Sequence, residues 1–170
     1  MKVIKVSFPA IRIERRFADA IFAGRKLWEF RKRPLPLWNT MLLVVGDEGD
    51  RVVGAINFTV VVGATSRKIL GLISNGLLKP WAKYAGCTQR WLDEYAGTGG
   101  VVYASLVGCA GKFDLPHGVY RNRTVSFEFG ASEAAEAFGA YVKETVSKSM
   151  LDRYELVDPA RAASGKEAAR

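Results

Sequence analysis

A chain of 170 residues, 49% hydrophobic and 25% charged, has the composition of an ordinary soluble globular protein with a sizeable core. Two cysteines and one histidine exclude a disulfide framework and supply no convincing metal-binding set, so we expect neither a metal nor another cofactor. The formal net charge of +8 favours a polyanionic partner.

The positive charge is concentrated near the N-terminal end. Residues 1–33 hold ten Lys or Arg and three Asp or Glu, a net charge of +7, whereas residues 34–170 carry a net charge of only +1. This asymmetry is typical of nucleic-acid-binding proteins, although excess charge can also serve solubility alone. The N-terminal segment is too short and too charged for a signal peptide, and residues 52–62 are too few to span a bilayer. We therefore expect a cytoplasmic protein without a membrane partner.

Hydrophobic periodicity predicts alternating strands and helices. In chain order they are a strand at 2–8, a helix at 14–23, strands at 40–45 and 51–62, helices at 66–75 and 89–96, strands at 101–107, 113–115 and 124–129, and a helix at 132–148. Pro9 is expected to end the first strand. Gly24 stands where a helix C-cap requires positive φ, and Gly54 marks a bulge or a close approach of another backbone.

The segment 24–33 is unusual because it combines five basic side chains, one carboxylate and two large aromatic rings. In an extended strand, Trp28 and Phe30 share one face while Glu29 and Arg31 share the other. We expect the two rings to pack in the core and the polar face to line a cleft.

These elements predict an α+β fold built around a small, mostly antiparallel β-barrel with flanking helices and an added C-terminal helix. We predict one domain over residues 1–130 and a C-terminal helical extension over 131–157. Residues 158–170 are Ala-rich and charged without an apolar stripe, which predicts a disordered tail.

Residues 18–31 resemble the signature of the ASCH domain, a branch of the PUA-like superfamily. The signature is a helix of the type A-x-x-I-x-x-G followed by x-K-x-x-E-x-R, and here Ala18, Ile21 and Gly24 precede Lys26, Glu29 and Arg31. The resemblance covers roughly residues 3–129. It implies a small β-barrel with a cleft beside it, lined by the loop that carries the motif. PUA-like domains generally bind RNA, so the resemblance implies RNA or a nucleotide as the partner.

The motif supplies most of the candidate binding residues. Lys26 and Glu29 are spaced to pair across the loop-to-strand junction, where they would hold a phosphate or, in an enzyme, shuttle a proton; the alternative is a structural ion pair. The remaining cations of the segment suit phosphate contacts, and Arg123 and Ser126 are predicted to line the same cleft. The full set of predicted nucleic-acid-binding residues is Arg25, Lys26, Glu29, Arg31, Lys32, Arg33, Arg123 and Ser126.

Two other functions remain open. Some ASCH proteins resemble amidohydrolases of N4-acylated cytidine and others are described as ribonucleases, so hydrolysis of a modified nucleoside or of RNA is the first alternative. The resemblance places a catalytic Thr where this chain has Glu29 and a carboxylate where it has Asn57, which removes the nucleophile and the acid. The second alternative is an interaction module in a nucleoprotein assembly. Its partner would dock on the 132–157 helix if Phe138, Tyr141 and Val142 were exposed. Single-stranded DNA is a further candidate ligand.

Overall fold

The computed structural model describes residues 3–37, 41–47 and 49–151, and the predicted tail at 158–170 lies outside this part of the chain, as do residues 152–157. The strands are β1 (Ile4–Arg12), β2 (Trp28–Arg31), β3 (Leu42–Val45), β4 (Val52–Thr65), β5 (Val101–Lys112), β6 (Val119–Arg121) and β7 (Thr124–Phe129). The helices are α1 (Arg15–Phe22), α2 (Ser66–Ile73), α3 (Gln89–Ala96) and α4 (Ser132–Leu151), with a 3₁₀ helix at Gly76–Tyr84.

The strands form one mixed sheet in the order β2-β5-β4-β3-β1-β7-β6. Each neighbouring pair is antiparallel except β1 and β3, which run parallel. The sheet curls into a half-barrel. The predicted α+β class with mostly antiparallel strands is therefore confirmed, and the consecutive strands β3 and β4 form an antiparallel pair.

Pro9 does not end the first strand, contrary to the prediction, because β1 continues to Arg12. The amide of Ala10 donates to the carbonyl of Arg123 at 2.8 Å, so the nitrogen of residue 9 faces the opposite side of the strand. On that side β3 joins β1 only from Ala10 onward. A proline at this position therefore removes no ladder hydrogen bond.

Both faces of the central strands are covered. Leu42 and Val44 of β3 pack in a cluster with α1, whereas Leu43 and Val45 pack in a second cluster that includes Val142 of α4. A strand buried on both faces is apolar throughout, which explains the uninterrupted hydrophobic sequence of β3. Close packing also explains Gly54, where a Cβ atom would lie 2.3 Å from the carbonyl oxygen of Gly111.

The chain between β4 and β5 forms a helical insert of α2, the 3₁₀ helix and α3. Ser66 joins its two α-helices, because its hydroxyl bonds Asp93 at 2.5 Å and its carbonyl accepts from Gln89 at 2.9 Å. Hydrogen bonds from the side chains of Ser66 and Gln89 to Asp93 lower the pKa of its carboxyl. The side chain of Thr88 caps α3 by accepting from the amide of Trp91, as its sequence position predicts.

Two short elements differ from the prediction. Residues 113–115 do not form a separate strand. They continue from the end of β5, and the amides of Phe113 and Leu115 donate to the carbonyls of Val53 and Val52. Strand β6 was not predicted. It has only three residues, which are too few for a hydrophobic periodicity to be recognised.

Helix α4 packs against the sheet. Val142 is buried, and the Phe138 ring lies 4.7 Å from the ring of Phe127 and 5.1 Å from that of Phe129. Tyr141 alone of the three predicted docking residues is exposed. The exposed stripe on which the interaction-module hypothesis depended is therefore absent. In the described part of the chain, no helix combines the length and apolarity needed to cross a membrane.

Candidate nucleic-acid site

The motif segment lies between α1 and β2. Gly24 adopts φ of +70° after the helix, as predicted, and allows the chain to turn toward the sheet. The amide of Leu27 donates to Tyr84, and the carbonyl of Leu27 accepts from Val107, each at 2.8 Å. Both bonds fix the start of β2. Trp28 is fully buried and Phe30 nearly so, which confirms that the rings pack in the core and leaves Trp28 unable to stack on a ligand.

Lys26, Glu29 and Arg31 form a connected ion network, which we call the motif triad. One carboxylate oxygen of Glu29 lies 3.0 Å from the Lys26 ammonium, and the other lies 2.8 Å from the Arg31 guanidinium. The Lys26 ammonium also donates to the carbonyl of Trp28, and Arg31 donates to the carbonyl of Arg12. Lys26 and Glu29 are only 4% and 5% exposed. Buried charges persist only when paired and hydrogen-bonded in this way.

The motif triad forms one wall of a cavity of about 100 Å³, the motif cavity. Its other walls are Arg12, Ile13, Glu14, Phe17, Phe30, Cys87, Trp91 and Tyr95. Ligand pockets for small molecules usually occupy about 300–1,000 Å³, so this space is too small to enclose a nucleoside. The motif residues therefore border a cavity that is too small to enclose a base.

Cys87 is the nearest soft nucleophile to the motif triad. Burial raises the pKa of its thiol to about 11; the nearby Lys26 ammonium opposes this shift and the Glu29 carboxylate adds to it. Because the thiolate is the reactive form, a thiol with this pKa is almost fully protonated at neutral pH.

A larger cavity of about 620 Å³ adjoins the motif cavity, and we call it the basic cavity. Four cations line it: Arg31, Lys32, Arg33 and Arg123. Tyr120 contributes a ring, and prolines and aliphatic side chains of β1, β3 and residues 34–36 form the remaining described wall. Arg31 borders both cavities. No carboxylate lines the basic cavity among the residues that the structure describes.

Three of these cations lack a carboxylate partner. Within the described residues, Lys32, Arg33 and Arg123 form no ion pair, whereas Arg12 and Lys26 at the motif cavity both do. Arg31 is paired through its terminal nitrogen, but its Nε atom is buried and has no hydrogen-bond partner in the described structure. The basic cavity therefore holds uncompensated positive charge.

Arg123 reaches this position through a tight turn. Residues 122 and 123 connect β6 to β7, with φ of +51° and +61°. Positive φ at both central residues defines a type I′ hairpin turn, in which glycine is favoured at the second position. Arg123 therefore occupies a backbone conformation that a side chain disfavours.

The structure separates two predicted site residues from the others. Arg25 is exposed and lines neither cavity. The hydroxyl of Ser126 lies 2.8 Å from that of Ser7 on the neighbouring strand, and Ser126 borders a different groove beside Phe138. Ser126 thus fits the alternative of ordinary strand polarity, because a hydroxyl pair across two strands needs no ligand.

Asn57 also has a structural role. Its side-chain oxygen accepts a hydrogen bond from the amide of Cys109 at 2.6 Å, where the β4–β5 register shifts. A bulge leaves backbone groups without ladder partners, and Asn57 supplies one. The position that the hydrolase resemblance assigns to a carboxylate is therefore occupied by a side chain that stabilises the bulge.

Sequence reasoning missed the aromatic residues of the site. Tyr120 lines the basic cavity, and its ring lies under the Arg12 guanidinium at 4.7 Å. Trp91 and Tyr95 line the motif cavity from α3. In the sequence, Trp91 and Tyr95 are two aromatic positions of the predicted helix at 89–96, and nothing shows that this helix folds back onto the motif.

Comparisons with known proteins show that the fold of this chain is similar to that of solved structures. No protein-family model matches the chain, and no curated protein does. Among solved structures, ASCH from Zymomonas mobilis is 23% identical with a TM-score of 0.46, and the match covers 58% of this chain and 64% of that protein. A serine-to-alanine mutant of the same protein, ZmASCH, gives 15% identity and a TM-score of 0.54, covering 77% of this chain and 94% of the mutant.

The second alignment carries the conclusion, because its TM-score exceeds 0.5 and nearly the whole length of the Zymomonas protein is matched. It agrees with the mixed, curled sheet of this chain. The fold of the chain is that of an ASCH domain.

Proposed function

We propose that the chain binds single-stranded RNA through the basic cavity. The phosphates contact Lys32, Arg33 and Arg123, and a base lies against Tyr120. The observation that carries this proposal is the cluster of four cations around one cavity of about 620 Å³ with no carboxylate among its described lining residues.

The energetics of clustered charge support an anionic ligand. Like charges brought together without counter-charge repel each other, so the cluster favours a bound polyanion. The volume also falls within the roughly 300–1,000 Å³ typical of ligand pockets. The aromatic wall suits a base, because RNA-binding proteins commonly stack unpaired bases on Tyr, Phe or Trp.

The motif triad has a positioning role in this proposal. Glu29 and the carbonyl of Arg12 both accept from one terminal nitrogen of Arg31, Nη2, and this restrains the guanidinium where Arg31 borders the two cavities. A restrained guanidinium loses less side-chain entropy when it binds a phosphate. The proposed site is therefore centred on Arg31 to Arg33 and Arg123, with Lys26 and Glu29 behind it.

The hydrolase alternative has less support. Both oxygens of Glu29 are engaged by cations, and the Lys26 ammonium is shared between Glu29 and a backbone carbonyl. Neither group is aimed at a space large enough for a nucleoside. A general acid or base must lie within hydrogen-bonding reach of the atom it serves.

The test is a binding titration of the full chain with single-stranded RNA, duplex RNA and single-stranded DNA at two salt concentrations. We compare Arg33→Ala with Arg121→Ala, a matched control that removes the same charge from the hairpin that carries Arg123. Arg121 is exposed and lines neither cavity. We expect Arg33→Ala to weaken binding and to reduce the salt slope by about 0.7, the value for one phosphate contact on a single strand.

Equal behaviour of Arg33→Ala and Arg121→Ala would show that binding depends on net charge and not on the basic cavity. Absence of binding to every polymer would overturn the proposal. If RNA binds through the basic cavity, Arg121→Ala should retain binding and Arg33→Ala should lose it.

A further inference from the structure

Two residues that line the basic cavity also contact the neighbouring motif cavity or α3. Arg31 borders both cavities, and the next residue, Lys32, lines the basic cavity while its ammonium lies 5.3 Å from the ring centre of Tyr95 on α3. Lys32 therefore connects the two cavities. A ligand phosphate held at Lys32 would have its neighbouring nucleotide near Tyr95.

Tyr95 belongs to an ordered pair of rings, which we call the aromatic shelf (Trp91 and Tyr95). The two ring centres are 5.0 Å apart and the planes differ by 7°, so the rings are stacked. Trp91 is held in turn by an edge contact with Phe17 at 5.8 Å. Both shelf residues are half-buried and line the motif cavity, so part of the shelf is accessible to a ligand.

A base can compete with Lys32 for Tyr95. A cation over an aromatic ring at an exposed site is held weakly. A base stacked on an aromatic side chain is generally held more strongly. The stronger interaction replaces the weaker one, and the released ammonium is then free to contact the phosphate.

We infer that the site binds two consecutive nucleotides of a single strand, one in the basic cavity and the next stacked on the aromatic shelf. The phosphate between them lies at Arg31 and Lys32. This inference rests on the proposed function and narrows it, because it selects a strand of at least two nucleotides over a free nucleotide. The motif cavity need not enclose the second base, which lies at its mouth.

The test compares uridine monophosphate, di-uridylate and tri-uridylate in titrations with the full chain and two variants. Tyr95→Leu removes the ring, and Tyr95→Phe is the matched control that keeps it. For the unmodified chain we expect di-uridylate to bind at least roughly 5-fold more tightly than the mononucleotide, which corresponds to the lower end of base stacking.

Tyr95→Leu should lose roughly 5- to 150-fold in affinity for di- and tri-uridylate, which removes their advantage over the mononucleotide. Tyr95→Phe should retain the affinity of the parent chain for all three ligands. Circular dichroism of the variants separates loss of the ring from loss of the fold.

Two outcomes would overturn the inference and leave the proposed function intact. One is equal affinity for one, two and three nucleotides in the unmodified chain. The other is a folded Tyr95→Leu variant that binds di-uridylate as the parent does. In contrast, failure of every oligonucleotide to bind, or equal binding by Arg33→Ala and Arg121→Ala, would refute the proposed function itself.

Discussion

The motif triad shows how neighbouring residues in one segment divide between structure and binding. Lys26 and Glu29 are almost fully buried and satisfy each other, whereas Lys32 and Arg33 are exposed and unpaired among the described residues. Removing one member of a buried ion network leaves a charge without compensation. We therefore expect substitution of Lys26 to lower the stability of the fold, whatever its effect on ligand binding.

A double-mutant cycle measures this coupling. We expect Lys26→Met to lower the free energy of unfolding by about 3 kcal/mol, since breaking a buried pair costs roughly 3–5 kcal/mol and Arg31 still compensates part of the Glu29 charge. Lys26→Met combined with Glu29→Gln should cost less than the sum of the two single changes. Denaturant unfolding of the three variants gives the coupling free energy.

Lys148→Met is the control for that cycle, because it breaks an exposed pair with Glu144 and should change stability little. Strictly additive losses for Lys26→Met and Glu29→Gln would show that the two side chains do not stabilise each other.

Arg123 presents the opposite case, a residue whose backbone conformation opposes its side chain. The second central position of a type I′ turn favours glycine, yet this chain has an arginine facing the basic cavity. Strained residues persist where the surrounding structure or a function maintains them. Here the carbonyl of Arg123 accepts from Ala10, which fixes the turn beside the cavity.

Arg123→Gly should therefore change stability and binding in opposite directions. We expect the free energy of unfolding to rise by roughly 0.5–1 kcal/mol, because relief of the left-handed strain exceeds the added entropy of glycine in the unfolded chain. RNA affinity should fall, since one cation of the cavity is lost. Thermal or denaturant unfolding and an RNA titration on the same variant give both quantities.

Asn122→Gly is the matched control for this change. It relaxes the other left-handed residue of the turn without removing a charge, so its RNA affinity should equal that of the parent. A loss of stability in Arg123→Gly would show that the arginine side chain supports the fold.

At the scale of elements, α4 belongs to the hydrophobic core and is not a free docking helix. Val142 is 1% exposed and lies in the cluster that contains Leu43, Val52 and Phe127. The sequence shows an apolar stripe, but a stripe has the same pattern whether it meets the sheet or a partner protein. The contact with the sheet decides between the two.

Val142→Ala should lower the free energy of unfolding by about 2 kcal/mol, because two buried methyl groups are lost and a cavity is left. Tyr141→Ala on the exposed side of the same helix should stay within roughly 0.5 kcal/mol of the parent. Denaturant unfolding measures both. Unchanged stability in Val142→Ala would mean that the cluster does not depend on α4.

At the scale of the whole molecule, the sheet brings together cations that are far apart in sequence. Arg31 ends β2, at one end of the strand order, and Lys32 and Arg33 follow it, whereas Arg123 lies in the β6–β7 turn at the other end. The curl of the half-barrel places both groups around one cavity. The asymmetry of charge in the sequence therefore identifies only part of the basic cluster.

The sequence by itself determined the element types, the α+β class, the motif and the inward packing of Trp28 and Phe30, because each of these depends on local periodicity or on nearby residues. It also identified Lys26 and Glu29 as a pair, since three residues separate them. It could not determine whether Pro9 ends β1 or whether Ser126 lines the site, because both depend on the partner strand.

Only the tertiary structure decided which cations meet, which carboxylates neutralise them and where the aromatic rings lie. Arg123 lines the same cavity as Arg33, whereas Arg25 and Ser126 do not. Trp91 and Tyr95 reach the motif from α3, more than fifty residues away in sequence. The physical reason is that these contacts depend on sheet register, curl and helix packing, which are set by many weak long-range interactions and not by any local pattern.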